Sequence, residues 1–190
     1  DAYLAAQQQS KGLIGLSVAL VKDGELVLAK GYGVRSIEEK LPVETNTLFA
    51  IGSVSKQFTW ACILLLAEDG ALSVRDKVSK YYPKLTRASD ITLLDLMNHT
   101  SGYRDYYPLD FVERPMQKTI DPDELLAKYA GGPLDFEPGT QWSYSNTGYI
   151  LLGRILEKTT GASFGAFLRR RIFEPLGMRH TVYGPSLSDK

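Results

Sequence analysis

The sequence predicts an α+β fold in which a helical cluster accompanies the first hairpin of an antiparallel sheet. Three features carry that expectation. Residues 13–21 and 25–33 are extended, apolar-rich runs around Lys22-Asp23-Gly24, a hairpin signature. A long apolar helix follows Ser53, with Phe58, Trp60 and Ile63 to Leu66 on it. A second begins after Tyr144-Ser145-Asn146 and carries Tyr149 to Leu152, Ile155 and Leu156.

The remaining elements follow in chain order. Residues 1–11 read as an amphipathic helix leading into the hairpin. The helix after Ser53 closes at Glu68-Asp69-Gly70, and its apolar residues on every side predict burial on every side. Residues 73–83 form a loop expected to cover that helix. Thr92 caps a helix of Leu93, Leu94, Leu96 and Met97. Asp121-Pro122-Asp123-Glu124 supplies an N-cap, a proline at the first position and an acid at the third, and Gly131-Gly132-Pro133 ends that helix. Residues 147–160 stop at Gly161. Residues 163–173 form a helix whose Arg169, Arg170 and Arg171 spread round its circumference, a solvated surface rather than an anion site.

Composition narrows the partners. Lysine plus arginine and aspartate plus glutamate each number 22, so the net charge is zero and nothing electrostatic favours nucleic acid or a membrane surface. The apolar run around 62–67 is too short and interrupted to span a bilayer. The single cysteine, Cys62, allows no internal disulfide. The two histidines, His99 and His180, make no metal set, so neither metal nor cofactor is expected, and neither histidine is assigned to catalysis.

Chemistry enters at Ser53-Val54-Ser55-Lys56. A serine and a lysine three apart share one helix face, with the hydroxyl at the positive end of the helix. A serine hydroxyl needs a base, and an amine serves only if its surroundings lower its pKa from about 10.4. In the alternative reading, Ser53 caps the helix and Lys56 points to water. Tyr144 and Asn146, two apart before a helix, direct a phenol and an amide to one side. A phenol beside an ammonium can shuttle a proton. Alternatively, Tyr144 is a half-buried aromatic with its hydroxyl bonded and Asn146 is a cap. Tyr103 to Phe111 crowds aromatics, and Tyr103 and Tyr106 are candidates to roof a cleft and contact substrate, unless the loop packs its own rings. Arg104 and Arg154 are weaker candidates for a substrate carboxylate.

Ser53-x-x-Lys56 followed by Tyr144-x-Asn146 resembles the serine β-lactamase and DD-peptidase (penicillin-binding-protein-like) superfamily, in its class C β-lactamase, D-alanyl-D-alanine carboxypeptidase and esterase branch. Leu93 to Gly102, ending His99-Thr100-Ser101-Gly102, and Phe136-Glu137-Pro138-Gly139 are similar to further stretches of that family. The resemblance implies a β-lactamase/transpeptidase-like fold of the multi-domain α and β class. It implies Ser53 as the nucleophile of an acyl-enzyme, Lys56 as its activating amine and Tyr144 as the proton shuttle. Asn146 would bond the substrate amide and Lys56, and the Ser53 N–H would supply half of an oxyanion hole. The tyrosine form of the second motif argues against the class A route through a glutamate.

One departure stands out. The family's third motif, Lys-Thr-Gly or His-Thr-Gly, has no match: Lys158 to Gly161 and His99 to Gly102 each hold one residue too many, and His180-Thr181-Val182 lacks the glycine. Family members are also well over half as long again, and two strands do not make a sheet that stands alone. The chain is therefore expected to be the N-terminal part of one catalytic domain. Residues 1–45 would hold the helix and hairpin and 46–190 the mainly helical part, with the C-terminal strands and helix absent. An N-terminal fragment, a cleaved or split chain and a truncated form all fit, and a complementing fragment or second chain is the expected partner.

The expected function is a serine hydrolase acting through Ser53 on D-amino-acid peptides, β-lactams or small esters, inactive without the missing part. The alternative is a catalytically silent binding or assembly protein on the same scaffold. Family resemblance favours a periplasmic or secreted location, with the cytoplasm open.

Overall fold

Asp23 and Gly24 both take left-handed backbone conformations, with φ of 51° and 81°. This two-residue turn matches strand twist and joins β1 (Gly15–Lys22) to β2 (Glu25–Ser36), the antiparallel hairpin the sequence predicts. The register runs from Lys22 opposite Glu25 to Gly15 opposite Gly33, with a bulge at Leu20/Val21. In this computed structural model, which describes residues 1–107 and 119–184, a third strand not anticipated from sequence joins them. It is β3 (Leu41–Pro42), too short to show alternation, and Pro42 is tolerated because β3 lies at the sheet edge. Gly31 is required beneath it: a Cβ there would lie 2.1 Å from the Val43 carbonyl oxygen.

The chain divides into two compact units, Asp1–Ala50 and Ile51–Lys190. In the first, α1 (Ala2–Ser10) forms as expected but buries none of its residues. It is tied to the sheet at its start, where Asp1 accepts hydrogen bonds from Lys30 Nζ at 2.8 Å and the Tyr32 hydroxyl at 2.8 Å.

The second unit is helical. A 3₁₀ turn (Gly52–Ser55) leads into α2 (Lys56–Glu68), followed by α3 (Leu93–Met97), α4 (Pro122–Tyr129), α5 (Asn146–Thr160) and α6 (Phe164–Leu168). Most start signals act as read. Thr92 and Asp95 form a reciprocal capping box, Asp121 Oδ1 accepts from the Asp123 and Glu124 N–H groups, and Ser163 caps α6. Gly161 ends α5 at φ 70°.

Two expectations need correction. α2 is not buried on every side: Thr59, Cys62, Ile63 and Leu66 form one buried stripe, while Leu64 is 46% exposed. Positions 59, 62, 63 and 66 share a face at helical spacing, and α5 and α6 pack against α2. The basic helix is also shorter than read. α6 stops at Leu168 and the chain continues as a π turn, Arg169–Phe173. Arg169 and Arg170 are exposed, as predicted, and Arg171 pairs with Asp69.

The core gathers Ile63 and Leu66 of α2, Leu93 and Leu96 of α3, Leu126 of α4, Leu151, Leu152, Ile155 and Leu156 of α5, and Phe167 of α6. Each buried aliphatic side chain contributes roughly 1.5–3 kcal/mol of burial free energy. The 73–83 loop joins this core through Val78, which is fully buried in a 3₁₀ turn (Val78–Lys80). Met97 is a polar junction as well as an apolar one: its carbonyl accepts both the Trp60 indole N–H (3.1 Å) and the Tyr149 hydroxyl (2.9 Å), binding α2 and α5 to the end of α3. Among the described residues no helix is long and apolar enough to cross a membrane.

Candidate active site

The 3₁₀ turn before α2 decides where Ser53 sits. Gly52 takes φ 52°, and Ser55 closes the turn by donating to the Gly52 carbonyl at 2.6 Å. Ser53 is therefore in the first turn, where backbone N–H groups have no partner within the helix. Its side chain caps nothing. Instead Ser53 Oγ accepts from Lys56 Nζ at 3.3 Å and from the Tyr144 hydroxyl at 2.6 Å. Ser53 and Tyr144 are 91 residues apart in sequence.

Asn146 joins the same cluster. It is the first residue of α5, and the cap is its neighbour Ser145, whose Oγ accepts from the Gly148 N–H. Relieved of capping, Asn146 Oδ1 accepts from Lys56 Nζ at 2.6 Å. Lys56 Nζ also lies 4.7 Å from the centre of the Tyr144 ring and 5.3 Å from that of Tyr149, over faces that attract a cation. Ser53, Lys56, Tyr144 and Asn146 thus form one hydrogen-bonded set.

The aromatic candidates divide. Tyr103 is 3% exposed, belongs to the helical core and donates its hydroxyl to the Thr86 carbonyl at 3.0 Å. Burial pushes its pKa well above the usual phenol value. None of its hydrogen bonds reaches the Ser53 cluster. Tyr106 stays nearer: its N–H donates to Thr147 Oγ1 in the first turn of α5, and its ring packs edge-on against Tyr107 and Tyr129. Burial first, then the fields of Asp105, Tyr107 and Tyr144, raise its pKa, so it is a neutral phenol. Pro108 to Phe111 of this loop lie outside the described residues.

Both arginines already pair with carboxylates of the chain itself. Arg104 Nε donates to Asp135 at 3.1 Å, and Arg154 bridges Asp123 (2.9 Å) and Glu157 (2.6 Å). Lys158 to Gly161 is the end of α5 and its left-handed cap, with Lys158 Nζ 3.4 Å from the centre of the Tyr82 ring.

Three further residues bond or pack against these side chains and were not among the site candidates read from the sequence. His99, at φ 61°, accepts the Ser145 N–H on Nδ1 at 3.1 Å, and its carbonyl accepts the Ser143 N–H at 3.0 Å. Its ring stacks at 4.7 Å on Tyr144 and 5.1 Å on Tyr149. Burial, and then the charge of Lys56, hold its pKa below the ordinary 6.5, against the opposing pull of Asp105. A neutral ring with Nδ1 as acceptor carries its proton on Nε2. Asp105 bonds Asn146 twice, and Tyr149 supplies the ring beside Lys56. The position of His99, just before Thr100-Ser101-Gly102, was the available signal; Asp105 had none.

A hydroxyl held between an amine and a phenol, with the amine anchored by an amide, can pass its proton to whichever neighbour is deprotonated as it attacks an electrophilic carbon. Known proteins resemble this chain over most of its length. The family model described as "Beta-lactamase" matches residues 1–190. Penicillin-binding protein 4* of Bacillus subtilis (strain 168) is 37% identical over 175 residues, covering 90% of this chain and 39% of that protein. The crystal structure of D-amino acid amidase from Ochrobactrum anthropi SV3 complexed with L-phenylalanine amide superposes with a TM-score of 0.84 at 28% identity, covering 97% of this chain and 52% of that one. A class C beta-lactamase in complex with cefoxitin gives a TM-score of 0.79 at 28% identity, covering all of this chain and 52% of that one. The chain spans about two fifths of the curated relative and about half of each solved structure. With the family model matched over residues 1–190, this chain belongs to the beta-lactamase family and has its mixed α and β fold.

Proposed function

We propose that the protein is a serine hydrolase that works through an acyl-enzyme on Ser53. The observation that carries the reading is the double hydrogen bond on Ser53 Oγ, from Lys56 Nζ at 3.3 Å and the Tyr144 hydroxyl at 2.6 Å. In the first half-reaction the bond from Oγ to the substrate acyl carbon forms and the bond to the leaving group breaks. With the Tyr144–Lys56 pair holding one proton fewer than phenol plus ammonium, the Oγ proton passes to whichever of the two is deprotonated and from there to the leaving group. Water then hydrolyses the ester by the same route in reverse. Asn146 holds Lys56 and offers its remaining Nδ2–H to the substrate amide, and Tyr106 contributes to the wall beside it. The Ser53 N–H provides one oxyanion donor; such donors typically contribute about 3 kcal/mol.

Substrates are D-amino-acid peptides, β-lactams or small esters. A penicillin-binding protein and a D-amino acid amidase among the relatives support the first two. Residues 1–190 act as the N-terminal part of one catalytic domain. The rest of the site, including the second oxyanion donor, comes from the remainder of a longer protein or from a complementing chain. That division motivates testing the full-length gene product.

Incubation with a fluorescent penicillin or a fluorophosphonate, followed by peptide mapping, is expected to label Ser53 in the wild type and nothing in Ser53→Ala. Absence of a Ser53 adduct with both reagents would refute the reading in favour of a silent scaffold.

A further inference from the structure

Asp105 lies outside the Ser53-x-x-Lys56 and Tyr144-x-Asn146 motifs, yet it bonds one of them twice. Its Oδ1 accepts the Asn146 backbone N–H at 2.9 Å and its Oδ2 accepts Asn146 Nδ2 at 3.0 Å. A primary amide has a donor end and an acceptor end, and an ionised carboxylate can take only the donor end. With Nδ2 drawn to Asp105, Oδ1 must face the opposite way, and there it accepts from Lys56 Nζ at 2.6 Å. Were the amide reversed, its NH₂ would meet an ammonium and its oxygen a carboxylate. The backbone bond adds a second anchor, because it fixes the start of α5 against the same side chain.

We propose that Asp105 is a positioning residue for acylation at Ser53: its carboxylate locks the Asn146 amide with the oxygen on Lys56, and so holds Lys56 Nζ against Ser53 Oγ. The chain of contacts runs Asp105, Asn146, Lys56, Ser53, with Tyr144 closing on Ser53 from the other side. This inference rests on the serine-hydrolase reading. Asp105 itself touches no reacting atom in that scheme and acts only through Asn146.

The test is a double-mutant cycle on penicillin acylation in the full-length protein. Asp105→Ala is expected to slow acylation about ten- to a hundredfold, the loss typical of a hydrogen bond to a charged group. In an Asn146→Ala background, which keeps only the backbone bond to Asp105, the same substitution is expected to have a much smaller effect. Asp105→Asn, which preserves shape and accepts one of the two bonds, is expected to recover part of the rate and guards against a folding defect in the alanine variant. The NMR signals of the Asn146 side-chain amide provide a readout independent of turnover. They are expected to show one proton protected from exchange in the wild type and lost protection in Asp105→Ala. Multiplying effects in the double variant, or unchanged Asn146 amide signals, would overturn the inference. A wild type that takes no Ser53 adduct overturns the hydrolase reading instead, and with it the acylation role.

Discussion

Replacing His99 with alanine tests how the site is held together. The ring fills the space between Tyr144 and Tyr149 and accepts the N–H of Ser145, which is 3% exposed. Leaving that N–H without a partner costs about 1–3 kcal/mol, and each lost ring pair about 0.5–1.5 kcal/mol. All three losses share one side chain and overlap, so about 3 kcal/mol is expected at neutral pH. For a chain of 190 residues that lowers the thermal midpoint by about 6–12 °C. The pH dependence sharpens the test. Burial and the neighbouring Lys56 charge depress the folded-state pKa below the ordinary 6.5. Below about pH 6.5 the unfolded chain therefore binds more protons than the folded one, and stability falls with acidification until the folded-state value is passed. The His99 contribution is full above that window and lost through it, so the wild-type and His99→Ala midpoints converge as the pH drops. Scanning calorimetry from pH 8 to pH 5 reads both effects. Equal midpoints at pH 7.5, or a gap that widens in acid, would show that His99 is not a half-buried neutral acceptor.

Four other outcomes are expected. Tyr144→Phe and Lys56→Ala should each slow penicillin acylation by about a hundredfold or more, the scale of a lost proton-transfer partner, without altering the far-ultraviolet circular dichroism spectrum; wild-type rates would end the Ser53–Lys56–Tyr144 scheme. Phe167→Ala removes a ring that is 1% exposed and should destabilise by about 3–5 kcal/mol in urea unfolding. Arg154→Ala frees Asp123, whose pKa the Arg154 hydrogen bond holds below the ordinary 3.8. The wild-type advantage is thus present above that value and lost as pH falls below it, so midpoints of the two proteins should draw together in acid. Gly31→Ala forces a Cβ to within 2.1 Å of the Val43 carbonyl and should cost about 1–3 kcal/mol, with amide exchange in β2 and β3 accelerated before that in the helical unit.

How much of this was legible depends on the range of the interaction. The 23–24 turn, the Thr92 capping box, the Asp121 cap and the Gly161 stop are local events, set by side chains within four residues of the backbone groups they satisfy. β3 escaped notice because two residues cannot display a period. α2 was over-read: its apolar residues surround the axis, and no property of the helix alone says which of them meets α5. The pairing of Arg104 and Arg154 was not legible because their partners, Asp135 and Asp123, are each 31 residues away in the chain.

The site divides along the same line. The amino-acid order placed Ser53 and Lys56 one turn apart at a helix entrance and Tyr144 and Asn146 at another, because helix geometry and start signals act over a few residues. It also supplied the family, through the order and spacing of those motifs. Packing of α2 and α5 around Met97 then decided that the two entrances meet, with Tyr144 on Ser53 and Asn146 on Lys56. Only that packing distinguished Tyr103, buried in the core, from Tyr106, bonded to the first turn of α5, and brought His99 to Ser145 and Asp105 to Asn146. A hydrogen bond between groups 41 or 46 residues apart leaves no periodic trace in a sequence, since its geometry exists only once the backbone between them has been folded.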